Sequence, residues 1–208
     1  MRRSTLTTVL VLTLAAALAG AAPAQEQAPP SAAAEPTRPA PPPAESPSVA
    51  TQQVSLEQSI QAVFVTKFPF FVEWPQRTFA AAQAPFRLCL LGDAPFPGDI
   101  EEVASKRGVN GRVLEISHPG DLVQARQCQV LFVGSSETGR VAEILSALEG
   151  AAVLTVSPAD RFTQAGGMIG FVRWRGRVGF EINTDAARRA DLSISSQLLK
   201  LAVTGGER

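Results

Sequence analysis

The chain has 208 residues, 19 of them basic and 19 acidic, with one histidine and two cysteines. Balanced charge excludes a global field that would draw nucleic acid or an anionic membrane surface. A single histidine leaves little material for metal or acid–base chemistry, and there is no internal repeat.

Met1 to Ala24 reads as an export signal. Arg2 and Arg3 form a short positive region, Leu6 to Leu18 an apolar one, and Ala22-Pro23-Ala24 a small-x-small cleavage site. The apolar run is short for a membrane span, although an uncleaved anchor is the alternative. The residues after the paired arginines fit general secretion better than twin-arginine export. No cysteine stands near the cleavage point to take a lipid. Gln25 to Ala50 is dominated by Pro and Ala. It cannot bury enough apolar surface to offset its ordering entropy, and so reads as a disordered tether. That tether is either a spacer toward a membrane partner or a dispensable tail. Residues 51–208 are one domain's worth of chain, long enough for a real core.

Ser55-Leu56-Glu57-Gln58 matches a capping box at the start of a helix. Ile60, Val63, Phe64, Phe68, Phe71 and Val72 give that helix one broad apolar face. Pro69 kinks or ends the regular helix near Lys67, and Trp74-Pro75 closes the element. The aromatic density reads as core packing, with Phe70 or Trp74 in an exposed contact patch as the other reading. Phe86 to Leu91 is a buried strand bounded by Pro85 and Gly92. A loop leads to a helix over Asp99 to Lys106, and Gly108 to Gly111 turns the chain into a strand, Val113 to Ser117. A short helical piece, Leu122 to Arg126, precedes the strand Val130 to Val133. Gly134-Ser135-Ser136 opens a helix over Thr138 to Leu148 with Val141, Ile144, Leu145 and Leu148 on one face. Val153 to Val156 is a further strand ended by Ser157-Pro158. Met168 to Trp174 and Arg177 to Ile182 form an antiparallel hairpin about Arg175-Gly176. A polar turn follows, then a helix whose apolar residues are Ile194, Leu198 and Leu201, with Leu199 and Ala202 beside them. Strands alternating with helices predict a mostly parallel sheet covered on both faces. The expected fold is a Rossmann-like three-layer α/β/α sandwich with an antiparallel C-terminal hairpin.

Chemistry is sparse. An even cysteine count in an exported chain favours a Cys89–Cys128 disulfide closing a loop of about 40 residues, worth up to about 4 kcal/mol. Two independent buried thiols are the alternative. Gly134-Ser135-Ser136, between a strand and a helix, offers amides to an anion or is a plain helix cap. Its spacing matches neither a P-loop nor a dinucleotide fingerprint. The serines lack a G-x-S-x-G elbow, and His118 lies in a Pro119-Gly120 loop with no carboxylates clustered near it. Neither Glu57 with Glu73 nor Glu181 with Asp185 makes an acid–base pair. The one local charge bias is Arg173, Arg175, Arg177, Arg188 and Arg189. Arg173, Arg175 and Arg177 would share a face of the hairpin, with Trp174 and Glu181 nearby. That face is either a polar pocket or docking patch for carboxylates, or simply a solvated hairpin.

GGMIGF, then RVGFEIN, then SISSQLLKLA resemble the C-terminal signature of the YfiR-like periplasmic proteins. The run from Ala62 to Pro75, the Leu88–Asp93 segment and the Cys128–Val133 segment resemble further family motifs in order. The likeness spans about Ser55 to Ala202. It implies a non-enzymatic periplasmic repressor, without cofactor, that binds the periplasmic domain of a membrane-bound diguanylate cyclase and lowers cyclic-di-GMP and biofilm formation. It also implies pairing of Cys89 with Cys128, and a homodimer. In this reading Ile194, Leu198 and Leu199 belong to the apolar contact, rimmed by the arginines. Family members can carry a second cysteine pair that this chain lacks, so regulation through a second bridge is not expected here. The alternative is a periplasmic sensory domain that takes a small-molecule ligand in a pocket at Trp174, Arg175 and Glu181.

Overall fold

The computed structural model describes residues 49–94, 96 and 108–203. The export signal, nearly all of the tether and the expected Asp99–Lys106 helix lie outside the described residues.

The first helix, α1 (Val49–Lys67), begins earlier than the capping box suggests, so Ser55 lies inside it. The residues before Ser55 include Ala50, Gln52 and Gln53, good helix formers. Extending a nucleated helix is easier than starting one, so the helix runs on upstream. At its other end the expectation holds. Pro69 lacks an N–H and crowds the preceding turn, so α1 stops at Lys67 and Phe68–Phe71 tightens into a 3₁₀ turn. Ala62, Val65 and Phe68 are buried on the sheet, whereas Val63, expected on the apolar face, is 58% exposed.

Among the described residues nine short strands follow: β1 (Val72–Glu73), β2 (Phe86–Leu91), β3 (Gly108–Val109), β4 (Arg112–Ser117) and β5 (Val130–Val133), then β6 (Leu154–Ser157), β7 (Ile169–Trp174), β8 (Arg177–Ile182) and β9 (Ser193–Ile194). Among the described residues the main sheet has seven strands in the order β3-β4-β2-β5-β6-β7-β8. The run from β4 to β7 is parallel, and β3 and β8 close its two ends antiparallel. The α-helices after α1 among the described residues are α2 (Leu122–Ala125), α3 (Val141–Ala147), α4 (Thr184–Arg189) and α5 (Ser196–Leu201).

Side chains alternate across a strand, and this divides the core in two. Phe86, Leu88, Leu90, Val130 and Phe132 pack with α1, α4 and α5 residues on one face. Cys89, Leu131 and Val133 pack with Ala125 of α2 and Ile144 of α3 on the other. Both faces are covered, as a parallel sheet requires, and the three-layer α/β/α fold is as expected.

Three local readings need correction. Gly108–Val109 is a strand: Asn110 and Gly111 both take positive φ and make the tight turn that Asn-Gly favours, pairing β3 with β4. The polar turn after Ile182 is helix α4, whose first turn is capped by Asn183 accepting from the Ala186 N–H at 2.9 Å. Asp185 in its first turn and Arg188 and Arg189 in its last complement the helix dipole. Finally, Ile194 belongs to β9 and pairs with Val72 across the chain. The last helix starts only after Ser195, whose hydroxyl accepts from the Leu198 N–H at 3.3 Å.

Candidate functional site

The residues that carry the C-terminal signature serve shape first. A Cβ on Gly167 would stand 2.2 Å from the Phe162 ring, and one on Gly179 would stand 3.0 Å from the Val203 side chain. Both positions therefore admit a close neighbour that a larger residue would displace. Phe180 stacks edge-on against Phe68 and Phe64 at 5.1 and 5.3 Å. Trp74 also has a structural duty, edge-on to Phe86 at 4.9 Å with its indole N–H donating to the Gln129 carbonyl.

Cys89, in the middle of β2, and Cys128, just before β5, form a disulfide with Cα atoms 6.0 Å apart. The bond ties the segment Gln127–Gln129 to the sheet on the α2–α3 face. Gly134-Ser135-Ser136 is not an open anion cradle. A Cβ on Gly134 would lie 2.0 Å from the Asp93 carbonyl oxygen, and the Ser136 hydroxyl already accepts from the Asp93 N–H at 2.9 Å. The motif holds a crossing of two backbone segments.

A cleft of about 520 Å³ opens at the carboxyl ends of β6 and β7, beside the hairpin. This is where open α/β sheets usually take ligands. Trp174, Arg173, Arg177 and Glu181 line it, as do Glu57 and Gln61 of α1. The register separates the arginines, because Arg173 stands opposite Val178 and Trp174 opposite Arg177. Residues opposite one another share a face and neighbours along a strand do not. Arg173 therefore points toward α1 and pairs with Glu57 at 2.5 Å. Arg177 lies on the other face, with Trp174 and Glu181. Arg175 is in the turn with φ 47°, followed by Gly176, and its guanidinium sits 5.1 Å from the centre of the Trp174 ring. The three arginines do not share one face. Arg188 pairs with Asp185 on α4, and Arg189 lies at a different cleft.

The cleft has a wall that sequence reasoning missed, the loop Pro158–Thr163 after β6. Thr163 donates its hydroxyl to Glu181 at 3.2 Å, and the Asn183 amide donates to the Thr163 carbonyl at 2.9 Å. No sequence pattern signals this wall, because its partners are about twenty residues away on another strand. The apolar residues expected at a contact differ in exposure. Leu198 is only 2% exposed and Ile194 is half-buried, while Leu199 is 37% and Leu201 64% exposed. Phe70, at 45%, stands at the surface, unlike the core packing expected of the aromatics. Among the described residues, no group of three His, Cys, Asp or Glu side chains is placed to hold a metal ion. None of the described helices is long and apolar enough to cross a membrane.

Architecture and site together define a Rossmann-like α/β/α domain with one cross-linked face and a hairpin-walled cleft at its carboxyl end. Residues 58–203 match the YfiR/HmsC-like family, and the chain belongs to it. No curated protein matches the chain.

Proposed function

We propose that this protein is a non-enzymatic periplasmic regulator. It binds the periplasmic domain of a membrane-bound diguanylate cyclase, holds the enzyme inactive, and so lowers cyclic-di-GMP and restrains biofilm formation. The observation that supports this reading is family membership across residues 58–203. The export signal read from the sequence at residues 1–24 supports a location on the same side of the membrane as such a partner. The regulator works as a homodimer in this reading. The cyclase contact draws on apolar side chains that the 3₁₀ turn after α1 and the last helix leave at the surface: Phe70, Leu199 and Leu201. Exposed apolar side chains of this kind supply the desolvated centre of an interface. Arg175 and Arg177 offer paired donors to carboxylates at its margin.

The test is intracellular cyclic-di-GMP in a deletion strain, complemented with wild type or with Leu199→Asp/Leu201→Asp. Deletion raises the nucleotide, the wild type restores it, and the double aspartate variant does not. Unchanged cyclic-di-GMP on deletion would sink the repressor reading. A second reading, a small-molecule sensory domain signalling to another membrane protein, is favoured by the cleft of about 520 Å³ at Trp174 and Glu181. Native mass spectrometry of the purified protein decides it: a retained ligand lost in Arg177→Gln supports it, and a bare mass counts against it.

A further inference from the structure

A second cleft, of about 500 Å³, lies at the opposite end of the sheet, where β2, β5 and β6 begin. The three amino ends are brought together by parallel register: Leu88 stands beside Val130, and Val130 beside Leu154. Gln129 forms the floor. It is buried, its backbone N–H donates to the Arg87 carbonyl at 2.9 Å, and its side-chain oxygen accepts from the Arg87 N–H at 2.7 Å. The 3₁₀ turn Gln76–Thr78 closes one side, and the Gly150–Ala152 approach to β6 closes the other.

The charge of this cleft is one-sided. Its lining holds three arginines, Arg77, Arg87 and Arg126, and no carboxylate among the described residues. Their present partners leave donors over, since a guanidinium carries five N–H groups. Arg126 donates to the carbonyls of Ala147 and Glu149, which are neutral acceptors. Arg87 is 3.7 Å from Glu115 and 3.5 Å from the Gln127 side-chain oxygen, both loose contacts. Arg77 pairs with Asp191, with both side chains more than 60% exposed. Exposed pairs of this kind are weak and exchange readily for a better-placed oxyanion. The Thr78 hydroxyl, at the same cleft, is the one buried side-chain polar atom among the described residues without a hydrogen-bond partner.

Beside Gln127, the lining has apolar walls: Phe79, Ala84, Pro85, Ala151 and Ala152. They are held firmly. The Arg112 guanidinium lies 3.8 Å from the centre of the Phe79 ring and donates to the Ala81 and Ala84 carbonyls at 3.1 and 2.8 Å. A volume near 500 Å³ falls in the range of small-molecule sites. We propose that this amino-end cleft binds a small organic carboxylate, its head group held by Arg87 with Arg77 and Arg126, and its apolar body laid against Phe79, Pro85 and Ala151. Bidentate guanidinium–carboxylate bonding supplies the specificity for the head, and the apolar walls exclude a bare inorganic anion. The site is independent of the cyclase reading, and cyclic-di-GMP levels do not decide it.

The test uses the full chain with phenylacetate, benzoate and hexanoate as probes, phenylacetamide as the neutral isostere and inorganic phosphate as the bare anion. Trp74 reports binding by fluorescence through its bond to the Gln129 carbonyl, and amide NMR shifts locate it. At least one carboxylate is expected to bind saturably, moving the amides of Arg87, Gln127 and Gln129. The amide isostere and phosphate bind at least tenfold more weakly than that carboxylate or its acid counterpart. Arg87→Gln costs tenfold or more, and Arg126→Lys, which keeps the charge but loses the fork, costs several-fold. Arg173→Gln, at the other cleft, changes nothing. The proposal falls if no carboxylate saturates, if the amide or phosphate binds as tightly as the acids, or if folded Arg87→Gln and Arg126→Lys bind as wild type.

Discussion

The two ends of the sheet carry clefts of nearly equal size but differ in how their charges are held. At the carboxyl end, the hairpin and α1 bring carboxylates to the cations: Arg173 meets Glu57, and Glu181 is engaged by Thr163. At the amino end no lining residue is acidic, and the lining arginines are held by an exposed pair to Asp191, a loose contact to Glu115 and backbone carbonyls. Counting arginines in the sequence points to the hairpin as the basic region. Only the pattern of partners shows the more weakly held positive charge to be at the other end. A local excess of charge is a property of neighbours in space, not of neighbours along the chain.

The sharpest way to break this comparison is Phe180→Ala, which empties the aromatic cluster beneath the carboxyl-end cleft. A loss of about 3–5 kcal/mol is expected, read as a fall in urea midpoint at constant slope. Amide exchange should rise first in β7 and β8 and later in β2 and β5. A uniform rise would mean that the two ends open as one unit. Next in size is the double variant Cys89→Ser/Cys128→Ser. The bridge spans 39 residues, and its removal costs up to about 4 kcal/mol in the chain-entropy model. Because Cys128 adjoins Gln127 and Gln129, this variant loosens the amino-end cleft and leaves the carboxyl-end cleft nearly intact, which NMR of each region distinguishes.

Gly167→Ala acts the other way. Its Cβ would meet the Phe162 ring at 2.2 Å and push the Pro158–Thr163 wall of the carboxyl-end cleft. A cost of about 1–3 kcal/mol is expected from overpacking, with amide shifts confined to that wall. Arg173→Gln is smaller still. Its pair with Glu57 is between side chains 60% and 27% exposed, so about 1 kcal/mol or less is lost, and less again in high salt.

The smallest effect lies away from both clefts. Arg140 beside Glu143, bonding its carboxylate at 3.0 Å, holds that carboxyl below the usual glutamate range. A carboxyl lowered in the folded state stabilises it at neutral pH, and that contribution disappears as pH falls through the lowered value. Arg140→Gln should return the Glu143 titration, followed by carboxyl NMR, to the ordinary range.

Much of the fold was legible because its signals are local. Phe86–Leu91 and Val130–Val133 are apolar runs with turn residues at their ends, and both strands fall where those runs predict. Pro69 stops α1 by its own covalent geometry. The misses also have causes. Ile194 has helical spacing to Leu198, yet its backbone is taken by Val72, more than a hundred residues earlier. Asn110-Gly111 carries a hairpin signal in the sequence, but the strand before it is only two residues long, too short for an alternation to show. At the site, the residue types of the hairpin were visible, but the face each one occupies depends on its cross-strand register.

The sequence by itself determined the strand–helix alternation, the pair of cysteines and the signature motifs, because each follows from residue type at short spacing. Tertiary structure alone decided which arginine meets which carboxylate, that Leu198 is covered while Leu201 is not, and that three strand beginnings and a 3₁₀ turn enclose a basic cleft. These outcomes depend on distances between segments far apart in the chain, and no local propensity carries that information.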